Sequence, residues 1–418
     1  MIHRLAHLWK YADKLFDILP QLKAVRDRRV DPLIPSYVVN ATLLLGAILR
    51  LPSLLDIAHK TKRLGWQKLI GHRPISHDTL GYALVHGRPE DWRAVLVSVN
   101  LQLKANKRFE EAKIGGYLVA AVDANEQFKS RSRCCAGCCQ RQIKLRNPLG
   151  LEYEVTEYYH RQVYAQISGP VFSVVLDVEP IRPGEEEAAA ALRLLGRIRR
   201  LYGVRFIDGI TVDAWYTKGP FLRAVEKLGW GVVSVLKDER YEIYKEASAL
   251  QAQQPVERWP HEDRAIAVRE VKDLPFTLAA LGSVRVVLAD ETWSETTVVG
   301  GKPQQEAKSS HWRWLVTGKF APAPKKAIWE MGHRRWGIEN HAFNELTQHY
   351  QLEHCPRHEA VAIEVWLLIR VLGFLLFELF ANVYCKTVRQ GDQTLKDLRD
   401  ELFMDLGNWQ ELAPLWSG

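Results

Sequence analysis

Two short apolar runs that each stop on an aspartate, Ala121-Val122-Asp123 and Thr211-Val212-Asp213, set the strongest limit on what this chain can fold into. Each reads as a strand delivering its acid at the strand's end. In open α/β sheets functional groups gather at such ends, where the strand fixes the backbone and the following loop faces a ligand. The pattern between and after the two runs agrees. Residues 117–122, 158–168, 171–178, 206–212 and 231–236 read as strands, with Gly169-Pro170 turning between the second and third. Residues 185–202 read as a helix with acidic residues in the first turn and arginines in the last, as the helix dipole favours, and 217–228 as another. The sum is an α/β mixed sheet layered by helices.

The flanking regions differ in character. Residues 1–112 show helical spacing with few strand signals, Ser76 or Asp78 is placed to cap a helix, and Lys60, Lys62, Arg63, Lys68, His72 and Arg73 crowd one stretch. That stretch is either a DNA-contacting element or a solvated charged face. Residues 113–238 form the first part of the core, with a Cys-rich hairpin at 130–160. Short β-prone pieces over 239–318 predict a β-rich insertion, in which 251–254 and 298–310 read as exposed loops. The core resumes over 319–418, with a long helix at 324–350 and C-terminal helices around 361–384. No internal repeat is visible.

A third acid, Glu339, stands in Gly332-His333-Arg334-Arg335-Trp336-Gly337-Ile338-Glu339-Asn340, four residues after Arg335 and on its helical face. An arginine beside a carboxylate can bind a phosphate that a metal also touches. Hard cations such as Mg²⁺ take oxygen ligands and keep several waters, so a few carboxylates and a nucleic-acid phosphate complete the shell. Two ions roughly 3.5–4 Å apart serve in-line displacement at phosphorus. A single strand-end aspartate is more often a cap or turn former; three acids in this order, with the arginine, carry the catalytic reading together.

Charge points the same way. Lysine and arginine number 57 against 49 acidic residues, a net +8 that suits a polyanionic partner such as nucleic acid. His3, Arg4, Lys10, Asp13 and Lys14 break up the first twenty residues, so no secretory signal is read and an intracellular protein is expected. Residues 365–384 are apolar but include Arg370 and Glu378, so they read as a buried helix and no membrane partner is expected. Four of the six cysteines lie in Cys134-Cys135-Ala136-Gly137-Cys138-Cys139, which fits metal ligation or reduced thiols better than disulfides. Cys135 and Cys138 with His160 offer three ligands, and Cys134 or Cys139 would complete a tetrahedral zinc site. The alternative is reduced thiols at a hairpin tip. His354, Cys355 and His358 have less regular spacing and read as packing.

These motifs resemble the DDE-type transposases of bacterial insertion sequences, specifically the cut-and-paste group. That group is ribonuclease H-like, with a β-rich insertion before the catalytic glutamate and a tyrosine-arginine-glutamate-lysine signature around it. The resemblance spans about residues 76–384 and rests on Ala121-Val122-Asp123, Gly209-Ile210-Thr211-Val212-Asp213-Ala214-Trp215-Tyr216, the Arg334-to-Asn340 stretch and Phe343-Asn344-Glu345-Leu346. It implies a ribonuclease H-like mixed sheet with helices on both faces, and Asp123, Asp213 and Glu339 binding two Mg²⁺ or Mn²⁺ ions. It further implies cleavage at transposon ends with strand transfer into target double-stranded DNA, a homodimer because two ends must be joined, and a place in the bacterial cytoplasm at the nucleoid. Arg335 and Glu339 match the signature, whereas its tyrosine falls on Gly332 and its lysine on Leu346. Phosphate contacts then pass to Arg334, His333, Asn340, Asn344 or Lys237. Trp336, Trp215, Trp293 and Trp329 either stack on an extruded base or, more commonly for such residues, pack in the core. Similar transposases often carry a cysteine pair and a downstream histidine where this chain has its cluster, which implies a small structural zinc knuckle. Two other functions fit the same residues: a metal-dependent nuclease without strand transfer, and a non-catalytic DNA-binding derivative.

Overall fold

A computed structural model describes residues 4–276, 282–299 and 302–407. The chain forms two compact units, one from Met1–Phe109, Ala124–Ala190 and Glu339–Gly418, the other from Glu110–Asp123 and Ala191–Ile338.

The first unit opens with helices Arg4–Phe16, Ile18–Ala24, Ser36–Ile48, Leu54–Thr61, Leu64–Ile70, His77–Val85 and Pro89–Ala105. Side-chain caps fix where two of them begin: Ser53 Oγ accepts from Asp56 N and Ser76 Oγ from Thr79 N, each at 3.1 Å. Helix Ala360–Leu379 is apolar around its whole circumference and is buried along most of its length, the condition such a sequence demands. It packs against Ser36–Ile48, His77–Val85 and Pro89–Ala105. Gly373 permits the approach to Ser36–Ile48, because a Cβ there would lie 2.7 Å from that of Ala47. Its buried Arg370 donates to the Leu51 carbonyl at 2.7 Å. The strands of this unit are the latter part of β1 (Val119–Ser130), β2 (Cys139–Arg146), β3 (Glu152–Ser168) and β4 (Ser173–Pro180). β3 is long enough to pair antiparallel with β2 through its first half and with β4 through its second, and it also neighbours β1.

The second unit holds the beginning of β1 with β5 (Gly209–Val212), β6 (Gly231–Val235), β7 (Glu257–His261), β8 (Arg264–Pro275), β9 (Ser283–Val299) and β10 (Lys302–Thr317). β1, β5 and β6 are parallel, and helix Gly219–Lys227 forms the crossover between the last two. β10 joins β6 antiparallel, and β9, β8 and β7 follow in turn. The β-rich segment thus extends the parallel strands instead of standing apart. Its core of Val233, Val287, Trp314, Val316 and Phe320 is closed by Ala327, Ile328 and Met331 of helix Lys325–Arg334. The strand neighbours β4-β3-β1 in one unit and β1-β5-β6 in the other are those of a ribonuclease H-like sheet, so the fold is α/β of that type.

Three elements depart from the sequence expectations. β1 continues to Ser130, so Asp123 lies within a strand and not at its end. Most of 298–310 is strand, not loop. The helix expected over 324–350 is broken into Lys325–Arg334, a π-helical turn Ile338–Phe343 and Asn344–Tyr350.

Candidate active site and metal centre

Both aspartates follow the stretch over which β1 and β5 pair. β1 and β5 pair in parallel as Val119↔Gly209, Ala120↔Ile210 and Ala121↔Thr211. Asp123 stands on β1 two residues beyond the last of these pairs, and Asp213 two residues beyond it on the chain leaving β5. Asp213 directly follows β5 and is held from both sides. Its carboxylate accepts from Trp215 N at 2.9 Å, and its carbonyl accepts from Ser234 Oγ at 3.1 Å. Ser234 is itself paired with Thr217 Oγ1 at 2.6 Å. This is the supporting shell that a fixed carboxylate requires.

Arg335 reaches Asp123, with Nη1 2.9 Å from Oδ2, and the pair is largely buried at 6% and 17% side-chain exposure. The guanidinium also lies 4.9 Å from the ring of Trp336, which is 38% exposed. Trp215, 58% exposed, carries Lys218 Nζ at 4.8 Å from its ring. Trp293 carries Arg264 at 4.2 Å. Trp329 is buried in the core. Lys237 follows β6 and is exposed. Arg334 is engaged, donating to the Ala112 carbonyl at 2.9 Å and to Glu330. Glu339 lies in the π-helical turn Ile338–Phe343, a distortion frequent at functional sites. The side chain of Asn340 lies outside the described residues.

The two lapses in the signature have packing causes. A Cβ on Gly332 would fall 2.3 Å from the Trp314 indole, so the tryptophan occupies the space that a tyrosine would need. Leu346 is fully buried, where a lysine would lose its hydration.

Glu291, which the sequence reading passes over, is a buried hub beside this helix. Its carboxylate accepts from Trp329 Nε1 at 2.9 Å, Arg264 Nη1 at 2.9 Å and Ser310 Oγ at 3.2 Å, and it meets His333 Nε2 at 2.6 Å. Burial alone would raise its pKa; the hydrogen bond and charge of His333, with Trp329 and Arg264, overcome that and hold it at about 2. His333 is thereby committed to Glu291. The only signal in sequence is a charged residue at an inward position of an apolar strand.

A second constellation lies in the first unit. Cys135 Sγ and Cys138 Sγ stand 3.4 and 3.3 Å from His160 Nε2 and 3.8 Å from each other, and Cys138 Sγ is 3.0 Å from His358 Nε2. All four ligand atoms lie within 4.8 Å of one another, a group able to hold a metal ion. Cys134, expected among the ligands, is exposed and turned to the Cys135 carbonyl at 4.0 Å, because the Cys135–Cys138 turn points its side chain outward. Cys139 turns instead to the Ile181 carbonyl at 3.8 Å. His358, expected to be packing, takes the fourth place. Its separation of 220 residues from Cys138 hid it from any local motif.

The family model described as a transposase DDE domain matches residues 163–376, a span that includes Asp213, Arg335 and Glu339 and begins after Asp123. No curated protein matches the chain. Among solved structures, a piggyBac transposase synaptic complex with hairpin DNA is similar at a TM-score of 0.41 and 10% identity, over 98% of this chain and 80% of that one.

Proposed function

The chain belongs to the transposase DDE domain family, and from that premise we propose that it cleaves DNA at the ends of a transposable element and joins the freed 3′ hydroxyl to target DNA. The observation that supports the reading is the parallel pairing of β1 with β5 shortly before Asp123 and Asp213, with Arg335 bonded to Asp123. In this reading Asp123, Asp213 and Glu339 hold two divalent ions, Mg²⁺ or Mn²⁺. Oxygen donors suit such hard cations, and Asp123 already accepts a positive group in the form of the Arg335 guanidinium. When bound, the ions supply activation of the attacking oxygen and stabilisation of the leaving one.

The remaining work falls to the chain's own side chains. Arg335 offers a planar donor fork to a phosphate. Trp336 and Trp215 present exposed rings beside cations, a surface on which an unstacked base can lie. Lys237 and the basic stretch over 60–73 add backbone contacts, so binding to double-stranded DNA falls steeply with salt. A homodimer would bring two ends together, in a bacterial cytoplasm at the nucleoid.

The test uses purified full-length protein, duplexes bearing the termini that flank its gene, a supercoiled target and Mg²⁺. Cleavage followed by joined product is expected, and Asp123→Asn, Asp213→Asn and Glu339→Gln should each lower both by at least about 100-fold. Cleavage without joining would reduce the protein to a nuclease of the same fold. Undiminished cleavage in all three variants would remove the catalytic assignment.

A further inference from the structure

We infer that Cys135, Cys138, His160 and His358 bind one structural zinc ion that fastens the chain following Glu339 to β3. The distances fit a tetrahedral centre. Zinc bonds of about 2.3 Å to sulfur and about 2.0–2.1 Å to nitrogen place ligand atoms about 3.8 Å apart for two sulfurs and about 3.6 Å for a sulfur and a nitrogen. The Cys135–Cys138 separation is 3.8 Å and the two cysteines lie 3.4 and 3.3 Å from His160 Nε2, while Cys138 Sγ and His358 Nε2, 3.0 Å apart, would open slightly around the ion. Thiolate and imidazole donors select zinc over the hard cations proposed for the carboxylates. Four protein ligands leave no open position, which makes the site structural and not catalytic.

The surroundings are shaped for this arrangement. Cys138 N donates to the Cys135 carbonyl at 3.0 Å and Cys135 N to Cys138 Sγ at 3.2 Å, so the turn itself directs both sulfurs inward. Gly137 lies over the site. A Cβ there would sit 3.3 Å from the His160 ring and 3.1 Å from Ala360 Cβ, tighter than ordinary contact. His160 is buried at 4% exposure, and its ring meets that of Phe128 edge-on at 6.2 Å. This holds the imidazole where the sulfurs converge.

The position of the fourth ligand gives the site its consequence. His358 stands just before helix Ala360–Leu379 and after the segment that begins with Glu339. On β3, four residues beyond His160, Tyr164 packs against Phe343 of that segment with ring centroids 5.0 Å apart. One strand therefore touches the segment in two places, at Phe343 and through the ion at His358. Zinc would close a loop of more than two hundred residues, and metal binding of this kind is itself folding free energy. The inference stands apart from the DNA chemistry, since it concerns only these four ligands.

Metal content is the direct readout. Full-length protein prepared without chelator should carry one zinc per chain by mass spectrometry of the metal. Cys134→Ser should keep it, and His358→Ala should lose most of it. Exchange into Co²⁺ should give the intense visible bands of a tetrahedral site with thiolate charge transfer. His358→Cys should retain the metal and strengthen that charge-transfer band, which keeps the test decisive should the alanine variant fold poorly. Absence of zinc in the wild-type protein, zinc undiminished in His358→Ala, loss of zinc in Cys134→Ser, or an octahedral cobalt spectrum would each overturn the assignment.

Discussion

Replacing Glu291 by glutamine is the sharpest probe of what holds the Arg335 helix in place. The carboxylate is fully buried, and its pKa is depressed from 4.5 to about 2: burial opposes the shift, and His333, Trp329 and Arg264 outweigh burial. At about 1.36 kcal/mol per unit, that depression is worth about 3 kcal/mol of stability at pH 7. The sign follows from the direction. A carboxyl with a lowered folded-state pKa contributes its full stability above the unfolded value and loses it as pH falls through the folded one. The difference between wild type and Glu291→Gln should therefore be about 3 kcal/mol at pH 7, about 1.4 kcal/mol at pH 3 and under about 0.5 kcal/mol at pH 2. Urea unfolding at fixed pH measures it, and a calorimetric scan at pH 7 should show Tm lower by about 6–12 °C. A double-mutant cycle with His333→Ala should show that the two losses do not add, since the partners touch at 2.6 Å. A pH 7 loss below about 0.5 kcal/mol, or one that persists undiminished at pH 2, would refute the electrostatic account of this hub.

Two further outcomes follow from buried charge. Arg335→Ala removes the guanidinium that lies 2.9 Å from Asp123 and should cost about 3 kcal/mol. Added Mg²⁺ should raise the melting temperature of this variant more than that of wild type, because a divalent ion can replace the lost positive charge; equal shifts in a thermal melt would count against metal binding at Asp123. Burial and the nearby Glu345 push the Glu378 carboxyl up to about 7 against the pull of Arg50 and Asn382, so its contribution is fully present below pH 4.5 and is lost as pH rises through about 7. Glu378→Gln should accordingly leave stability unchanged at pH 4 and raise it by about 2–3 kcal/mol at pH 8, and a wild-type-like pH dependence in the variant would show that the burial penalty is not real.

What could be read from sequence followed from burial. The runs ending on Asp123 and Asp213 are legible because their strands are buried on both faces, as the unbroken burial of Val119 to Val122 and of β5 shows. Helix Ala360–Leu379 is legible for the same reason. The end of the β9–β10 hairpin is not. Its residues Pro303 to Ala307 are exposed on both sides, so no hydrophobic alternation marks them as strand. β2 is hidden likewise, since its half-buried positions are filled by Arg141, Ile143 and Leu145 between exposed Gln140, Gln142 and Lys144. The site divides along similar lines. Arg335 and Glu339 stand close together in sequence, and a local motif reveals them. Glu291 and His358 acquire their roles only from partners 42 and 220 residues away, and no local spacing can announce such a contact.

The same long-range contacts explain why a β-rich segment precedes the acid-bearing turn. Four successive residues at the end of helix Lys325–Arg334 each meet a different fixed partner: Gly332 the Trp314 ring of β10, His333 the Glu291 carboxylate of β9, Arg334 the Ala112 carbonyl, and Arg335 the Asp123 carboxylate of β1. Any one contact would leave the helix free to rotate or slide; four around its circumference leave it one position. Two of the four come from the hairpin β9–β10, whose far strand is bonded to β6 and through β5 to β1. The hairpin is thus a brace running from the strand that carries Asp123 back to the helix that delivers Arg335. Positioning a charge within a fraction of an ångström is what phosphoryl-transfer chemistry asks of a scaffold. On this reasoning the hairpin can be shortened at its exposed outer pairs, such as Thr296 with Gln305, with little effect on Arg335, whereas a change at Trp314 or Glu291 should displace it without touching any reacting group.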